Sequence, residues 1–180
     1  MQQVPRTAEL LVWDSIREWT DKFLVLNART LRELHACVSK NVPMRVGYTG
    51  PISPAHFEIF CRLAWVWLRQ KRGRVLVIEE LADVTSPGKA PGAWGEIVRK
   101  GRHQCGSKIY ACTQRPAESD KTIAGNCDVI HCGRQSFPKD RKSIAEYLDV
   151  DVAEVCELQS LQWIERDMRT RDLRRGTVKF

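Results

Sequence analysis

Apolar residues recur along the chain in short runs, separated by polar stretches of helical period. LLVWD at 10–14 and FLVLN at 23–27 read as the first two strands. A helix follows with Thr30 as N-cap and Glu33 at the capping-box position, and Leu31, Leu34 and Val38 then share one face. MRVGYTG at 44–50 reads as a strand running into a glycine turn. Ser53 and Pro54 make an N-cap and first-turn pair for the next helix, where proline lacks only an N–H that the first turn leaves unpaired. In that helix Phe60, Leu63, Ala64 and Trp67 recur at i, i+3, i+4 and i+7. This stripe favours core packing over base stacking for the tryptophans at 65 and 67.

VLVI at 75–78 is apolar on both faces, as a central strand of a helix-covered parallel sheet requires. The alternation continues with a helix around 93–102, a strand KIYACT at 108–113, a short helix near 119–125 and a strand DVIHC at 128–132. A helix at about 138–148 presents Ile144, Tyr147 and Leu148, and Asp151 with Glu154 suggests a second capping box. LQWIERD at 161–167 and GTVKF at 176–180 flank a polar, arginine-rich connection, so a terminal hairpin is expected. The pattern predicts an α/β fold: a mostly parallel, helix-flanked sheet with a C-terminal β-hairpin.

Length and composition narrow the function classes. The 180 residues suffice for one domain, read as 1–180 with residues 158–180 as the hairpin appendage, and are too few for two ordinary ones. A 43% hydrophobic and 28% charged composition excludes disorder. Apolar runs such as LLVW span four residues, whereas a bilayer needs roughly 20. MQQVPRTAELL lacks a basic segment followed by a long apolar one, so the default expectation is a cytoplasmic protein with no membrane span. Lysine and arginine number 29 against 22 acids, a net charge of +7 that favours polyanionic partners. Arg62, Arg69, Lys71, Arg72 and Arg74 form one cationic cluster, and Arg99, Lys100, Arg102, Lys108, Arg115 and Lys121 a second; either alone also fits solvated helix ends. The seven cysteines form no CxxC pair, and neither His103 with Cys105 nor His131 with Cys132 has zinc-site spacing. Cys105, Cys112, Cys127 and Cys132 fall in or near apolar strands, the pattern of buried free thiols in a reducing compartment.

Three segments carry candidate chemistry. VLVIEELADV at 75–84 is an apolar strand ending in Glu79 and Glu80. At the C-terminal edge of an open α/β sheet, one such carboxylate can hold the water shell of Mg²⁺ while its neighbour polarises the attacking water of a nucleotide hydrolysis. Any strand must end in something polar, so the pair alone does not establish a site. KIYACTQRPAESDKTIAGNCDVIHC at 108–132 is a strand ending in Thr113, Gln114, Arg115 and Pro116. The Gln114 amide can donate to a phosphate and accept from water at once. GEIVRKGRH at 95–103 is a helix exit dense in cations, where an arginine could pair bidentately with a phosphate on a neighbouring subunit.

In this order and spacing the three segments resemble the FtsK/HerA superfamily of DNA-translocating ATPases, and most closely the genome-packaging ATPases of tailless, membrane-containing phages and their prophage relatives. The resemblance covers roughly residues 8–180 and rests on the series ELADVTSPGKAP, WGEIVRKGRH and TQRPAESDKTIAGNCDVIHCGR. It implies a sheet of RecA/ASCE P-loop NTPase type, with ATP and Mg²⁺ as ligands. Glu79 and Glu80 would be the Walker B carboxylates, with Glu79 on Mg²⁺ through water and Glu80 as the catalytic glutamate. Gln114 would be the sensor, and Arg99 or Arg102 the arginine acting in trans. Implied partners are double-stranded DNA, further copies in a ring (a hexamer) and capsid or portal-vertex proteins, in the host cytoplasm or at the virion vertex. No individual DNA-contact residue follows from the resemblance.

Two features depart from the family pattern. Glu79 stands where aspartate is usual, and its extra methylene moves the Mg²⁺-shell oxygen by about a bond length. The sequence also contains no GxxxxGK[ST]. Gly88-Lys89 is followed by Ala90 and has Asp83 where the first glycine belongs, while GYTGPIS at 47–53 has no lysine. In the family the first strand, phosphate loop and helix precede the strand matching LLVWD. Residues 1–7 are then expected as the tail of that helix, with roughly 25–30 residues missing before them. The 180-residue chain is accordingly expected to bind nucleotide feebly and to be inactive alone. A non-catalytic pseudo-ATPase that docks on DNA or a motor partner is the alternative, and a filamentous-phage assembly ATPase of the zonular-occludens-toxin type a second.

Overall fold

The computed structural model describes residues 4–23, 25–40 and 42–179. Its centre is β1 (Leu10–Trp13), four apolar residues with no solvent exposure. Around it lie β2 (Leu26–Ala28), β3 (Arg45–Tyr48), β4 (Val75–Ile78) and β5 (Lys108–Ala111), in the order β2-β3-β1-β4-β5 and all parallel. Trp13 pairs with Tyr48 and Ile78, and Ile78 with Ala111. The strands therefore end level with one another, and the residues that follow them share one edge.

Strand alternation sends Leu11, Trp13, Leu76 and Ile78 to one face, where α2 (Leu31–Ser39), α3 (Pro54–Gln70) and α4 (Gly92–Cys105) cover them. Trp13 stacks on Tyr48 at 5.1 Å between centroids and meets Phe57 and Phe60 edge-on at 5.2 Å. Trp67 is fully buried here and Trp65 packs against the same cluster, so both tryptophans serve the core. Leu10, Val12, Val75 and Val77 face the other way, toward Trp19 of α1 (Glu18–Lys22) and Val25. The helix starts follow the sequence reading. Thr30 and Glu33 close a reciprocal capping box, and Ser53 Oγ accepts the His56 N–H ahead of Pro54.

β6 (Val129–Gly133) leaves the parallel layer. It pairs antiparallel with β7 (Gln162–Asp167), which pairs with β8 (Leu173–Thr177). Ile130, Cys132 and Ile164 of this sheet pack on Ile144 and Leu148 of α6 (Pro138–Leu148) and on Val155 of α7 (Val152–Cys156). The α/β class, mostly parallel sheet and terminal hairpin thus match the sequence pattern.

Local readings differ in four places. Instead of a strand at 23–27, α1 comes first and β2 begins at Leu26, because the Asp14 carboxylate accepts the Trp19 and Thr20 N–H groups and turns the chain; Leu24 lies outside the described residues. Asp151 caps α7 through the Ala153 N–H, but Glu154 pairs with Arg175 and closes no box. β8 starts at Leu173, earlier than expected, because Asp167 accepts the Arg169 and Thr170 N–H groups and tightens the turn. Residues 4–7, expected as a helix tail, form a turn closed by Ala8 N–H on the Pro5 carbonyl, and residues 1–3 lie outside the description. Among the described residues no helix is long and apolar enough to cross a membrane.

Candidate active site

The parallel ladder delivers a polar row to its C-terminal edge: Asp14 after β1, Thr49 after β3, Glu79 and Glu80 after β4, and Gln114 beyond β5. The ladder runs past the regular strands, since Cys112 N–H donates to the Ile78 carbonyl and Leu81 N–H to the Cys112 carbonyl. These bonds bring Glu80 beside Gln114. The Gln114 side chain donates Nε2–H to Glu80 Oε1 at 2.9 Å, and its backbone N–H reaches Oε2 at 3.3 Å. The backbone of Glu80 is left-handed, φ 48° and ψ 60°, a conformation unfavourable for a residue with a β-carbon. The chain turns there from β4 into a 3₁₀ segment, Leu81–Asp83. Left-handed backbone recurs at Arg17, Asp149, Leu161 and Arg171, and at Glu80 it sets a partly exposed carboxylate beside the Gln114 amide on the sheet edge.

Glu79 is held differently. It is 7% exposed, and its Oε1 accepts the indole N–H of Trp19 at 2.7 Å. Burial raises its pKa most, the Trp19 bond works against that, and the negative charges of Glu80, Asp14 and Glu18 raise it further. The three charges that act on it most are thus all negative. A divalent cation held through water beside Glu79 would relieve that repulsion; among the described residues no group of three or more acids, histidines or cysteines could ligate one directly. Nearby, burial and then the charges of Glu79 and Glu80 push the Cys112 thiol up to about 12. Cys112 as a residue is nonetheless exposed, correcting the expectation of four buried thiols; Cys105 and Cys132 are buried and Cys127 half-buried.

The structure brings together Glu79, Glu80 and Gln114 but not the two arginines. α4 runs back from the site to the start of β5, so its last turn lies at the opposite, N-terminal edge of the sheet. Arg102 is there, paired with Asp128. Arg99 is exposed and has no hydrogen bond or ion pair among the described residues. Three supporting residues escaped the sequence reading. Trp19 and Asp14 position Glu79 and α1. Asp140, fully buried, accepts Arg115 Nε–H and Ala117 N–H, both at 2.9 Å, and so anchors the loop that carries Gln114. An aspartate closing LLVW is a signal of the same kind as Glu79 closing VLVI; nothing local marks Asp140.

Among the described residues β5 has a neighbour only on its β4 side, and β6 only on its β7 side. A cavity of about 800 Å³ lies between these two edges, lined by residues 107–113 and 128–133 with Val98, Ile123 and Ile144. Its lining includes Thr113, the residue before Gln114 of the Glu80–Gln114 pair.

No protein-family model matches the chain. In structure it is similar to the genome packaging NTPase B204 from Sulfolobus turreted icosahedral virus 2. The form solved with AMPPCP has a TM-score of 0.75 at 17% identity, covering 95% of this chain and 83% of that one. The form with sulfate has a TM-score of 0.77 at 16% identity, covering 97% and 83%. At that identity the likeness establishes the fold, that of a viral packaging NTPase. In sequence the chain is 31% identical to protein P9 of Pseudoalteromonas phage PM2 over 156 residues, which span 86% of this chain and 69% of that protein. With that identity over that span, the chain belongs to the family of PM2 protein P9.

Proposed function

We propose that the chain is a subunit of an ATP-driven motor of FtsK/HerA type that moves double-stranded DNA into a viral capsid. The observation that carries this reading is the Glu80–Gln114 pair: a carboxylate on a left-handed backbone, held by an amide at the C-terminal edge of a parallel sheet. Glu80 would orient and deprotonate the attacking water. Gln114 retains a second N–H and its carbonyl oxygen, which suit contacts to the γ-phosphate and that water. Glu79 would hold Mg²⁺ through water, and the ion would supply charge neutralisation for the phosphates. Arg99 or Arg102 would serve the nucleotide of a neighbouring copy in a ring, a hexamer in this reading. Arg99 is the freer of the two, because Arg102 is engaged by Asp128. Capsid or portal-vertex proteins would be the docking partners, in the host cytoplasm or at the virion vertex. The B204 structures with ATP analogues support nucleotide as the ligand class.

The cavity between β5 and β6 supports the same reading. A strand about 4.8 Å from each edge would join the two sheets, and a glycine-rich loop at its end would lie beside Glu80 and Gln114. The test is ATP turnover, with and without duplex DNA, by the chain extended in its own upstream frame through a strand, GxxxxGK[ST] and helix. Glu80→Gln should abolish turnover, and Gln114→Ala should lower it about 10²-fold or more. Turnover that survives Glu80→Gln overturns the assignment. A stop codon immediately upstream would leave the pseudo-ATPase reading in its place.

A further inference from the structure

The two cationic clusters of the sequence meet only in the fold. Arg72 Nη1–H donates to the Gln104 carbonyl at 3.0 Å and its guanidinium lies over Gly106, so the end of α3 abuts the end of α4. Arg69 and Arg72 both act on Cys105, and Arg69 joins Arg99 and Lys100 around Glu96. On the other side Arg102 reaches Asp128 before β6, and Asp128 also holds Arg169 of the β7–β8 turn at 4.0 Å. A continuous cationic ridge results along the edge where the parallel strands begin, remote from Glu79 and Glu80.

The acids on this ridge are few and already engaged: Glu9 by Lys71 and Arg74, Glu96 by Lys100, Asp128 by Arg102 and Arg169, Asp167 by two backbone N–H groups of its own turn, and Asp172 by the Thr170 hydroxyl. Arg169 is 74% exposed, and Arg171 is exposed with no side-chain partner among the described residues. We propose that this ridge docks the phosphate backbone of duplex DNA, with Arg169 and Arg171 of the hairpin tip as protruding contacts; the proposal rests on the DNA-motor reading above. Guanidinium forks match phosphate oxygens, and a ridge spread over three elements suits an extended polyanion. Trp65 is half-buried, with the Arg69 guanidinium 5.9 Å above its ring, so it offers no open platform on which single-strand bases could stack. Contacts of this kind position a duplex without reading its sequence.

The experiment is fluorescence anisotropy of a short mixed-sequence duplex with the 180-residue protein, across a salt series without nucleotide. The double variant Arg169→Glu/Arg171→Glu should bind about tenfold or more weakly, and its log–log salt slope should fall by about 2. The one inter-element contact of these side chains is the 4.0 Å approach of Arg169 to Asp128, which Arg102 still holds, so circular dichroism and melting should stay close to the wild-type values. Arg32→Glu/Lys142→Glu, exposed residues off the ridge, changes net charge equally and should bind like wild type. Equal losses in both double variants would show attraction by net charge alone and overturn the proposal. Wild-type binding by the ridge variant would overturn the ridge while leaving the motor reading intact. No DNA binding by the wild type at low salt would overturn both. Tighter binding of poly-glutamate than of duplex would make the ridge a protein dock and overturn it too.

Discussion

At the N-terminal edge of the parallel sheet Glu9 sits between Lys71 and Arg74, at 2.5 and 2.7 Å; at the C-terminal edge Glu79 sits among Glu80, Asp14 and Glu18 with a neutral indole as its hydrogen-bond donor. Burial alone would raise Glu9, but the bonds from Lys71 and Arg74 outweigh it and hold the carboxyl below its ordinary range. Burial raises Glu79 as well, and there the neighbouring charges add to the effect. The same residue type is therefore neutralised on one edge and left in electrostatic conflict on the other. A matched charge contributes to the scaffold. An unmatched one costs stability and is characteristic of groups that await a cation or a reacting ligand.

The strongest way to break this contrast is at Arg74. It is 2% exposed, lies over the Trp67 ring at 4.5 Å, and donates to the Trp67 carbonyl and to Gln70. Arg74→Met should cost about 3 kcal/mol in denaturant unfolding, because Glu9 loses its buried partner and keeps only Lys71. Adding Glu9→Gln should recover part of that loss, making the double variant less damaged than the sum of the singles. A cost below about 1 kcal/mol would mean that the N-terminal edge is not held by its charges.

Glu80 gives the converse test. Replacing it with glycine removes the left-handed strain and one of the charges acting on Glu79, at the loss of the Gln114 bonds. Glu80→Gly should therefore raise stability by about 1 kcal/mol even as it removes the group assigned to water activation. Thermal melts of the two proteins decide the matter. A destabilised variant would make the Glu80–Gln114 pair a structural tie rather than a strained functional one.

What the sequence disclosed follows the range of the interaction. Thr30 with Glu33, Ser53 with Pro54, and the Phe60–Trp67 stripe are settled within a turn or two of helix, and each appears in the structure as read. Glu79, Glu80 and Gln114 were legible because strand ends in a parallel sheet share an edge. Interactions between distant segments were not legible. Asp140 serves Arg115 from 25 residues away, and Trp19 serves Glu79 from 60. The misplacement of β2 has the same origin: Asp14 caps α1 with its side chain, which displaces a strand that apolar spacing alone would start earlier. The two cationic clusters were each ambiguous alone, and only the packing of α3 against α4 joins them.

The smallest effect expected is also the one that reads the contrast most directly. Because the folded state raises the pKa of Glu79 above its ordinary 4.5, the native protein holds a proton that the unfolded chain releases. Stability from this group is thus full below pH 4.5 and declines as pH rises through the raised value. Glu79→Gln keeps an oxygen for the Trp19 indole N–H and has nothing to ionise. The variant should therefore be more stable than wild type at pH 8, with the advantage shrinking on acidification and vanishing below pH 4.5. Urea midpoints of both proteins at several pH values measure it. An advantage that stays constant with pH would assign the gain to packing, and a variant less stable at pH 8 would mean that Glu79 is matched after all, as Glu9 is.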